Sequence, residues 1–412
     1  MRGRGRLRGS LLLAVSTCAV LVAVAACSSN NSAGGGRTSD GSSGGSAGAD
    51  GSPINIGVIG AFSGPLGSAG TADRDGVLAW VQTINASGGI NGHPVKAYVE
   101  DDKNDPATST QALRTLVESD HVVALVGTYG LNTDQTWGDY LIAHKVPVVG
   151  GQEGSDIWNS NPMYFGASFG TSVKIQAYLL GPKAMGATKI YAMYCVEIAG
   201  CAADAHHIEE YAHTDGVAWA GSGAVSASGA NYASACLQAK NSGATAVAAI
   251  LPQSVFQRVA EACHQQGFDP VYASNSTVLS PDSLKAPYLN GKSFTYLAAV
   301  PIDSPAAADY VAAMKKYYPS VNLSVTEGQV GWTGGALFRA ALQDVPRSAT
   351  VTSADVINGL NRITTNNLGG LLPQGITFKS GMPHAQSSCI FTAHIKNEEL
   401  VSDDKPLCAS GG

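Results

Sequence analysis

After Arg8 the chain has no cluster of Lys and Arg, which excludes the usual route to nucleic-acid binding, where grouped cations neutralise phosphates. It has one long apolar run, residues 11–26, and no second stretch long enough to span a bilayer, so a multi-span membrane protein is excluded. Internal repeats at periods of roughly 20–50 residues are absent too, which removes solenoids and propellers. Ser63 lies in Gly60-Ala61-Phe62-Ser63-Gly64, which is not the Gly-x-Ser-x-Gly nucleophile elbow. Neither a complete Gly-x-x-x-x-Gly-Lys-Ser/Thr phosphate loop nor a His-Glu-x-x-His helix occurs. His93, His121, His144 and His264 are scattered, with no acid or base recognisable beside them. No catalytic residue, cofactor or enzymatic activity is therefore expected.

What is present begins with Arg2, Arg4, Arg6 and Arg8, ahead of an apolar run that stops at Val24-Ala25-Ala26-Cys27. A basic start, a short apolar stretch and small residues before a break mark a secretory signal. With Cys27 directly after the small residues, the segment resembles a bacterial lipoprotein signal. The resemblance implies a signal peptide over residues 1–26 and a lipidated Cys27 as the mature N-terminus. A lone membrane anchor is the alternative, but the sixteen residues of 11–26 fall short of the roughly 20 that span a bilayer. Residues 28–52 are dominated by Ser, Gly, Ala and Asn, without hydrophobic periodicity. That composition buries too little apolar surface to offset its ordering entropy, so residues 27–52 are expected to form a flexible linker. Its typical reach is roughly 25–30 Å.

From Pro53 about 360 residues remain, more than one core usually organises, and two domains are expected. Removing the signal takes away four Arg and no acid, moving the formal charge from −6 to −10. Beyond Cys18 and Cys27 there are six cysteines: Cys195, Cys201, Cys236, Cys263, Cys389 and Cys408. An even number in an exported chain points to disulfides, with fifteen pairings open. Proximity in sequence favours Cys195–Cys201, Cys236–Cys263 and Cys389–Cys408. A zinc site from Cys195, Cys201, His206 and His207 is the alternative. Adjacent histidines diverge on a helix and the spacing fits no usual zinc pattern, so no metal is expected.

Short β-branched runs alternate with amphipathic segments along the rest of the chain. Strands are expected at 54–59, 94–99, 122–126, 146–149, 189–194, 246–251 and 271–273. Between them, helices are expected at 73–85, 107–119, 134–144, 202–213 and 254–266. Residues 61–70 read as loop, and 375–378 and 388–394 as late strands. Strands separated by helices of this length imply parallel sheets covered on both faces. The expected fold class is α/β, with two doubly wound parallel-sheet lobes.

Residues 56–102, IGVIGAFSGPLGSAGTADRDGVLAWVQTINASGGINGHPVKAYVEDD, are the most specific stretch. The order of strand, Ser63-Gly64-Pro65, Gly70, helix, Ile84-Asn85, Gly88-Gly89-Ile90-Asn91-Gly92, strand and Asp101-Asp102 resembles the opening of type I periplasmic binding proteins. The nearest subgroup is the leucine/isoleucine/valine-type receptors of ABC importers. Asp105-Pro106, residues 328–342, Gly369-Gly370 and Ile376-Thr377-Phe378 continue the likeness, which weakens between Gly181 and Ser293. The resemblance implies lobes joined by three crossover hinge segments, expected near 169–172, 300–303 and 378–388. Lobe 1 would comprise 53–170 with 302–378, and lobe 2 171–301 with 379–412.

In open α/β sheets the ligand crevice lies off the carboxyl ends of the strands. The loops after Ile59, Val126, Val149, Tyr194, Leu251 and Ala273 are thus expected to face one cleft. Family receptors for amino acids hold the ligand with a Ser pair and an Ala-x-Thr segment. Here Gly127-Thr128-Tyr129-Gly130 and Gly150-Gly151-Gln152-Glu153 stand in their place, a departure from α-amino-acid chemistry. Candidate ligand contacts are Ser63, Tyr129, Gly130, Gln152, Glu153, Glu197, Gln253, Ser254 and Asn275. Ser63 is chosen for the anion-favouring start of a helix, Glu153 for a cationic ligand group, and Glu197 for its place in the short loop between Cys195 and Cys201. Each has an ordinary alternative: Tyr129 as an interface plug, Glu153 as a solvated loop acid, Ser254 as a helix cap. Trp332 and Phe338 have core spacing. The expected protein is a monomeric, lipid-anchored receptor on the outer face of the cell membrane, passing a small polar organic ligand, amino-acid-like or an amide, to ABC permease subunits. A sensor for a membrane signalling protein and an extracytoplasmic hydrolase are the alternatives.

Overall fold

The computed structural model describes residues 51–409 apart from 154, 198, 230, 324 and 382–386. The expected signal peptide, Cys27 and nearly all of the linker lie outside those residues. Two sheets carry the architecture. The first contains β1 (Ile54–Gly60), β2 (Val95–Asp101), β3 (Ala124–Thr128), β4 (Val148–Gly151) and β5 (Tyr164–Phe165), all parallel, in the order β2-β1-β3-β4-β5. The second contains β6 (Lys189–Cys195), β7 (Ala218–Val225), β8 (Ala246–Ile250), β9 (Val271–Asn275), β10 (Ser293–Leu297), β11 (Cys389–Lys396), β12 (Glu399–Ser402) and β13 (Leu407–Cys408). Its order is β12-β11-β10-β9-β8-β6-β7, parallel from β10 to β7, while β11 runs antiparallel to β10, β12 and β13.

Each sheet is buried on both faces, and the two-residue period of a strand decides which side chain enters which core. In β1, Ile56 and Val58 join one apolar cluster while Ile59 joins the other. In β6, Ile190 and Ala192 face one way and Tyr191 and Met193 the other.

Helices supply the covering layers. Around the first sheet lie α1 (Gly67–Ala86), α2 (Pro106–Arg114), α3 (Gly138–His144) and the single turn α4 (Ile157–Ser160). The second is covered by α5 (Thr171–Ala184), α6 (Ala199–Asp215), α7 (Ala233–Asn241), α8 (Gln253–Gln265) and the short α9 (Pro281–Lys285). The chain then returns to the first lobe with α10 (Ala308–Tyr317), α11 (Glu327–Ala341) and α12 (Ser353–Leu360). Trp332 and Phe338 of α11 are buried in the first-lobe core beside Trp80. Contact between α1 and α11 is backbone to backbone: a Cβ on Gly76 would lie 1.9 Å from the Gly328 carbonyl oxygen.

Two local expectations need correction. Helix α1 starts at Gly67, inside the stretch read as loop, because Gly67 and Gly70 let its first turn press against the backbone of Phe62 and Ala61. Residues 375–378 are no strand; Ile376 makes an isolated bridge with Asn366, and Pro373 just upstream offers no N–H to extend the ladder. All three disulfides join the partners that lie nearest in sequence: Cys195–Cys201, Cys236–Cys263 and Cys389–Cys408.

Membership of the cores changes along three segments. Ala167 belongs to the first-lobe core and Val173 to the second; Tyr296 to the second and Val300 to the first; Phe378 to the first and Ile390 to the second. Two of these segments run together: Phe169 bridges Ser387, and Gly170 N donates to Ser387 O at 3.3 Å.

Candidate ligand cleft

The loops at the carboxyl ends of both sheets enclose a cleft of about 730 Å³, within the range of roughly 300–1,000 Å³ typical of small-molecule sites. Its first-lobe wall comes from Tyr129, Leu131, Asn132 and Gln135 after β3, and from Gln152, Glu153, Ser155 and Asp156 after β4. Glu327 and Val330, from the first turn of α11, complete that wall. The second wall takes Thr171 and Lys174 from α5, then Gly200, Ala203, Asp204 and His207 from α6, whose spacing is one helical face. Asn275, Ser276 and Thr277 after β9, with Tyr296 of β10, finish it, and Ser168, Phe169 and Gly170 of a crossing segment lie between.

Buried carboxylates hold the first-lobe loops in place. Asp102, at the end of β2, accepts from Thr133 Oγ1 at 2.6 Å and Ser109 Oγ at 3.1 Å, and Ser109 Oγ accepts from Trp137 Nε1 at 2.8 Å. Asp134 accepts from Ser155 Oγ at 2.9 Å and Trp158 Nε1 at 2.8 Å, tying the two cleft loops together. Burial raises the Asp134 pKa and these two donors oppose the rise. Gly127 and Gly150, at φ of 58° and 62°, bring the ends of β3 and β4 against α11; a Cβ on Gly150 would lie 2.5 Å from Gly334 Cα.

In the second wall, Lys174 Nζ meets both carboxylate oxygens of Asp204 at 3.0 and 3.1 Å. Tyr178 and Asn275 hydrogen-bond to the Tyr296 hydroxyl, whose pKa is pushed up to about 12, chiefly by burial.

Behind Tyr129 and Glu327 sits Asp73 of α1, fully buried, with neither carboxylate oxygen hydrogen-bonded among the described residues. Burial, then the charge of Glu327, push its pKa well above the usual carboxylate value. Burial raises Glu327 as well. Burial and the charges of both acids raise the Tyr129 phenol.

Of the residues proposed from sequence, the cleft collects Tyr129, Gln152, Glu153 and Asn275. The Glu153 carboxylate lies over Gly166, where a Cβ would come within 2.6 Å of it. Gly130 is adjacent but outside the lining, its oxygen accepting from Thr133 N and Asp134 N. Ser63 lines a separate depression of about 590 Å³ on the first lobe, with Ser68, Asp75 and Tyr318. The β1 loop is drawn there because Asp101 accepts from Phe62 N at 3.0 Å and from Ser63. Burial alone would raise Asp101; the hydrogen bonds from Ser63, Lys103 N and Phe62 N outweigh it and hold the carboxyl below its usual range.

Glu197 is exposed and accepts from Ser226 Oγ at 2.9 Å and Ala227 N at 2.7 Å, away from the lining. Gln253 and Ser254 open α8 at the surface, and Gln253 Nε2 donates to Leu279 O at 2.9 Å. Loops after β1, β6 and β8 thus do not join those after β3, β4 and β9 that line the cleft. Sequence reading missed Lys174, Asp204 and His207, which α5 and α6 deliver from outside the strand-end loops, and Glu327, remote in sequence; the helical spacing 200, 203, 204, 207 was the available signal. Joined sulfurs leave Cys195 and Cys201 no thiolate for zinc, and among the described residues no group of three His, Cys, Asp or Glu is placed to hold a metal. No helix among the described residues is long and apolar enough to cross a membrane.

A family model described as a periplasmic binding protein matches residues 53–399. Over 76 residues the chain is 35% identical to an amino acid binding protein of Pseudomonas aeruginosa, a stretch that covers 18% of this chain and 20% of that relative. The match thus spans about a fifth of the curated relative's length. A branched chain amino acid ABC transporter protein from Thermus thermophilus with bound valine superposes with a TM-score of 0.70 at 13% identity, covering 87% of this chain and 97% of that one. An extracellular ligand-binding receptor from Verminephrobacter eiseniae gives 0.69 at 20% identity, covering 84% and 99%. A solute binding protein of an R. palustris ABC transporter, in complex with 4-hydroxybenzoate, gives 0.64 at 17%, covering 86% and 97%. At such identities the structural likeness speaks for the fold.

Proposed function

We propose, since the chain belongs to the periplasmic binding protein family and has its two-lobe type I fold, that it captures a small polar organic molecule outside the cytoplasm and presents the closed, loaded form to the permease of an ABC importer. The observation that carries this reading is the cleft of about 730 Å³ walled by strand-end loops and helices of both sheets. One chain supplies both walls, so a monomer suffices. Ligand contact is assigned to Tyr129, Gln152, Glu153 and Asn275, which supply a ring and polar groups from opposite walls. Closure would bend the chain where it changes core, at Ala167–Val173, Tyr296–Val300 and Phe378–Ile390. A ligand drives that motion only through its higher affinity for the closed form.

Relatives that carry valine or 4-hydroxybenzoate support a small organic ligand without naming the one bound here. Anchoring through Cys27 would keep the receptor beside the permease. Replacing Cys27 by Ser should then release the protein from membranes. The receptor reading is tested by X-ray scattering with and without a ligand found by native mass spectrometry of the freshly purified protein. The radius of gyration should fall on saturation. An unchanged radius with every bound ligand would falsify it.

A further inference from the structure

The cleft is charged asymmetrically. Glu153, Asp156, Asp204 and Glu327 line it against one lysine, Lys174. That lysine is already engaged by both oxygens of Asp204, and His207 is turned to Glu210, with Nδ1 and Oε2 3.0 Å apart. Glu327 forms no ion pair with a Lys, Arg or His among the described residues, although it is half-buried at the start of α11. Behind it, the carboxyl of Asp73 is fully buried and has no hydrogen-bond partner among the described residues, so no cation stands on either side of Glu327. Tyr129, Phe169 and Tyr296 line the same cleft, and aromatic rings can attract cations.

From this juxtaposition we infer that the cleft selects a ligand of net positive charge, an amine, amidine or guanidinium compound, with Glu327 as its principal anionic contact. The inference rests on the receptor reading and narrows its ligand class. A carboxylate entering the cleft would meet a lysine already satisfied and add a further negative charge beside Glu327. A cation supplies the charge that this wall lacks, in a partly desolvated site where attraction is strengthened. An uncharged compound gains neither effect. A zwitterion brings both.

The test is calorimetric titration of the intact protein with sets matched in shape: benzamidine, benzamide and benzoate; valinamide, valine and isovalerate; and the amines agmatine and putrescine. Within a set, the cation should bind at least tenfold more tightly than its neutral, zwitterionic and anionic counterparts. Glu327→Gln should abolish that preference, and Glu327→Asp should restore part of it. Asp156→Asn, at an exposed position that does not threaten folding, should reduce cation affinity two- to threefold. Preferential binding of benzoate, valine or isovalerate with compaction overturns the cation assignment and leaves the receptor reading intact. Cation preference that survives in Glu327→Gln, or failure of every cation to bind, also overturns it. If every compound that binds leaves the radius of gyration unchanged in X-ray scattering, the receptor reading itself falls.

Discussion

No cysteine occurs in residues 28–194 or 264–388, which include the whole first sheet, whereas all three disulfides lie in the second lobe. The first lobe relies on buried carboxylates instead: Asp102 accepts from the Ser109 and Thr133 hydroxyls, and Asp134 from the Ser155 hydroxyl and the Trp158 indole. A disulfide limits the distance between two points of the unfolded chain, while a buried carboxylate with several donors fixes the direction of each group that donates. The lobe with directional fastenings also contributes the two strand-end loops carrying Tyr129, Gln152 and Glu153. In the second lobe the contacts to the cleft come largely from helix faces; Cys195–Cys201 ties β6 to α6, and Cys236–Cys263 joins α7 to α8 on the other face of the sheet.

The contrast breaks most sharply if the second lobe loses a staple. Cys236 and Cys263 are 27 residues apart, and closing a loop of that length is worth about 3–4 kcal/mol in the chain-entropy account. Replacing both by Ser should destabilise the second lobe by that amount, read by urea denaturation and hydrogen exchange. Amides of β8, α7 and α8 should lose protection while those of β1, β3 and β4 keep theirs. Uniform loss across both sheets would show that the lobes do not differ in how they are held.

A smaller effect is expected at Asp134. Asp134→Ala leaves the Ser155 hydroxyl and the buried Trp158 indole without their acceptor, a loss of about 2–3 kcal/mol. The same change should weaken ligand binding, because Ser155 and its neighbours form cleft wall. Thermal unfolding and titration together check this; intact ligand affinity in a destabilised Asp134→Ala protein would detach the carboxylate from the site.

Much of the fold was legible because parallel strands buried on both faces, such as Ile54–Gly60 and Ala246–Ile250, read as nearly continuous apolar runs. Strand β7 escaped notice because AWAGSGAV is half-exposed and poor in β-branched residues. Strand β5 escaped because two residues carry no period. Within the cleft, Tyr129, Gln152, Glu153 and Asn275 were legible as residues just past strand ends. Glu197 obeyed the same rule, yet the Ser226 hydroxyl and the Ala227 amide hold it elsewhere, an arrangement of tertiary contacts that no local pattern records. Lys174, Asp204 and Glu327 required knowing how helices lie across the sheet ends. Lys174 and Asp204 offset each other, and Glu327 adds its carboxylate to those of Glu153 and Asp156 in the strand-end loop.

The gentlest test of the contrast is pH. Asp73 keeps its proton well above the usual carboxylate pKa because it is fully buried and close to Glu327. Below about pH 4 the folded and unfolded chains both hold that proton. Above it the unfolded chain releases the proton while the folded one retains it, so stability falls as pH rises until the folded-state pKa is passed. Glu327, raised in the same direction, contributes with the same sign. Asp73→Asn should therefore flatten this decline and raise stability at neutral pH relative to the parent, because an amide has no proton for the unfolded chain to release. The gain should appear in first-lobe amides and leave the disulfide-crosslinked lobe unchanged. An Asp73→Asn protein that is less stable at pH 7 than the parent would mean that the ionised carboxylate is compensated, and that the first lobe is fastened by Asp73 as it is by Asp102 and Asp134.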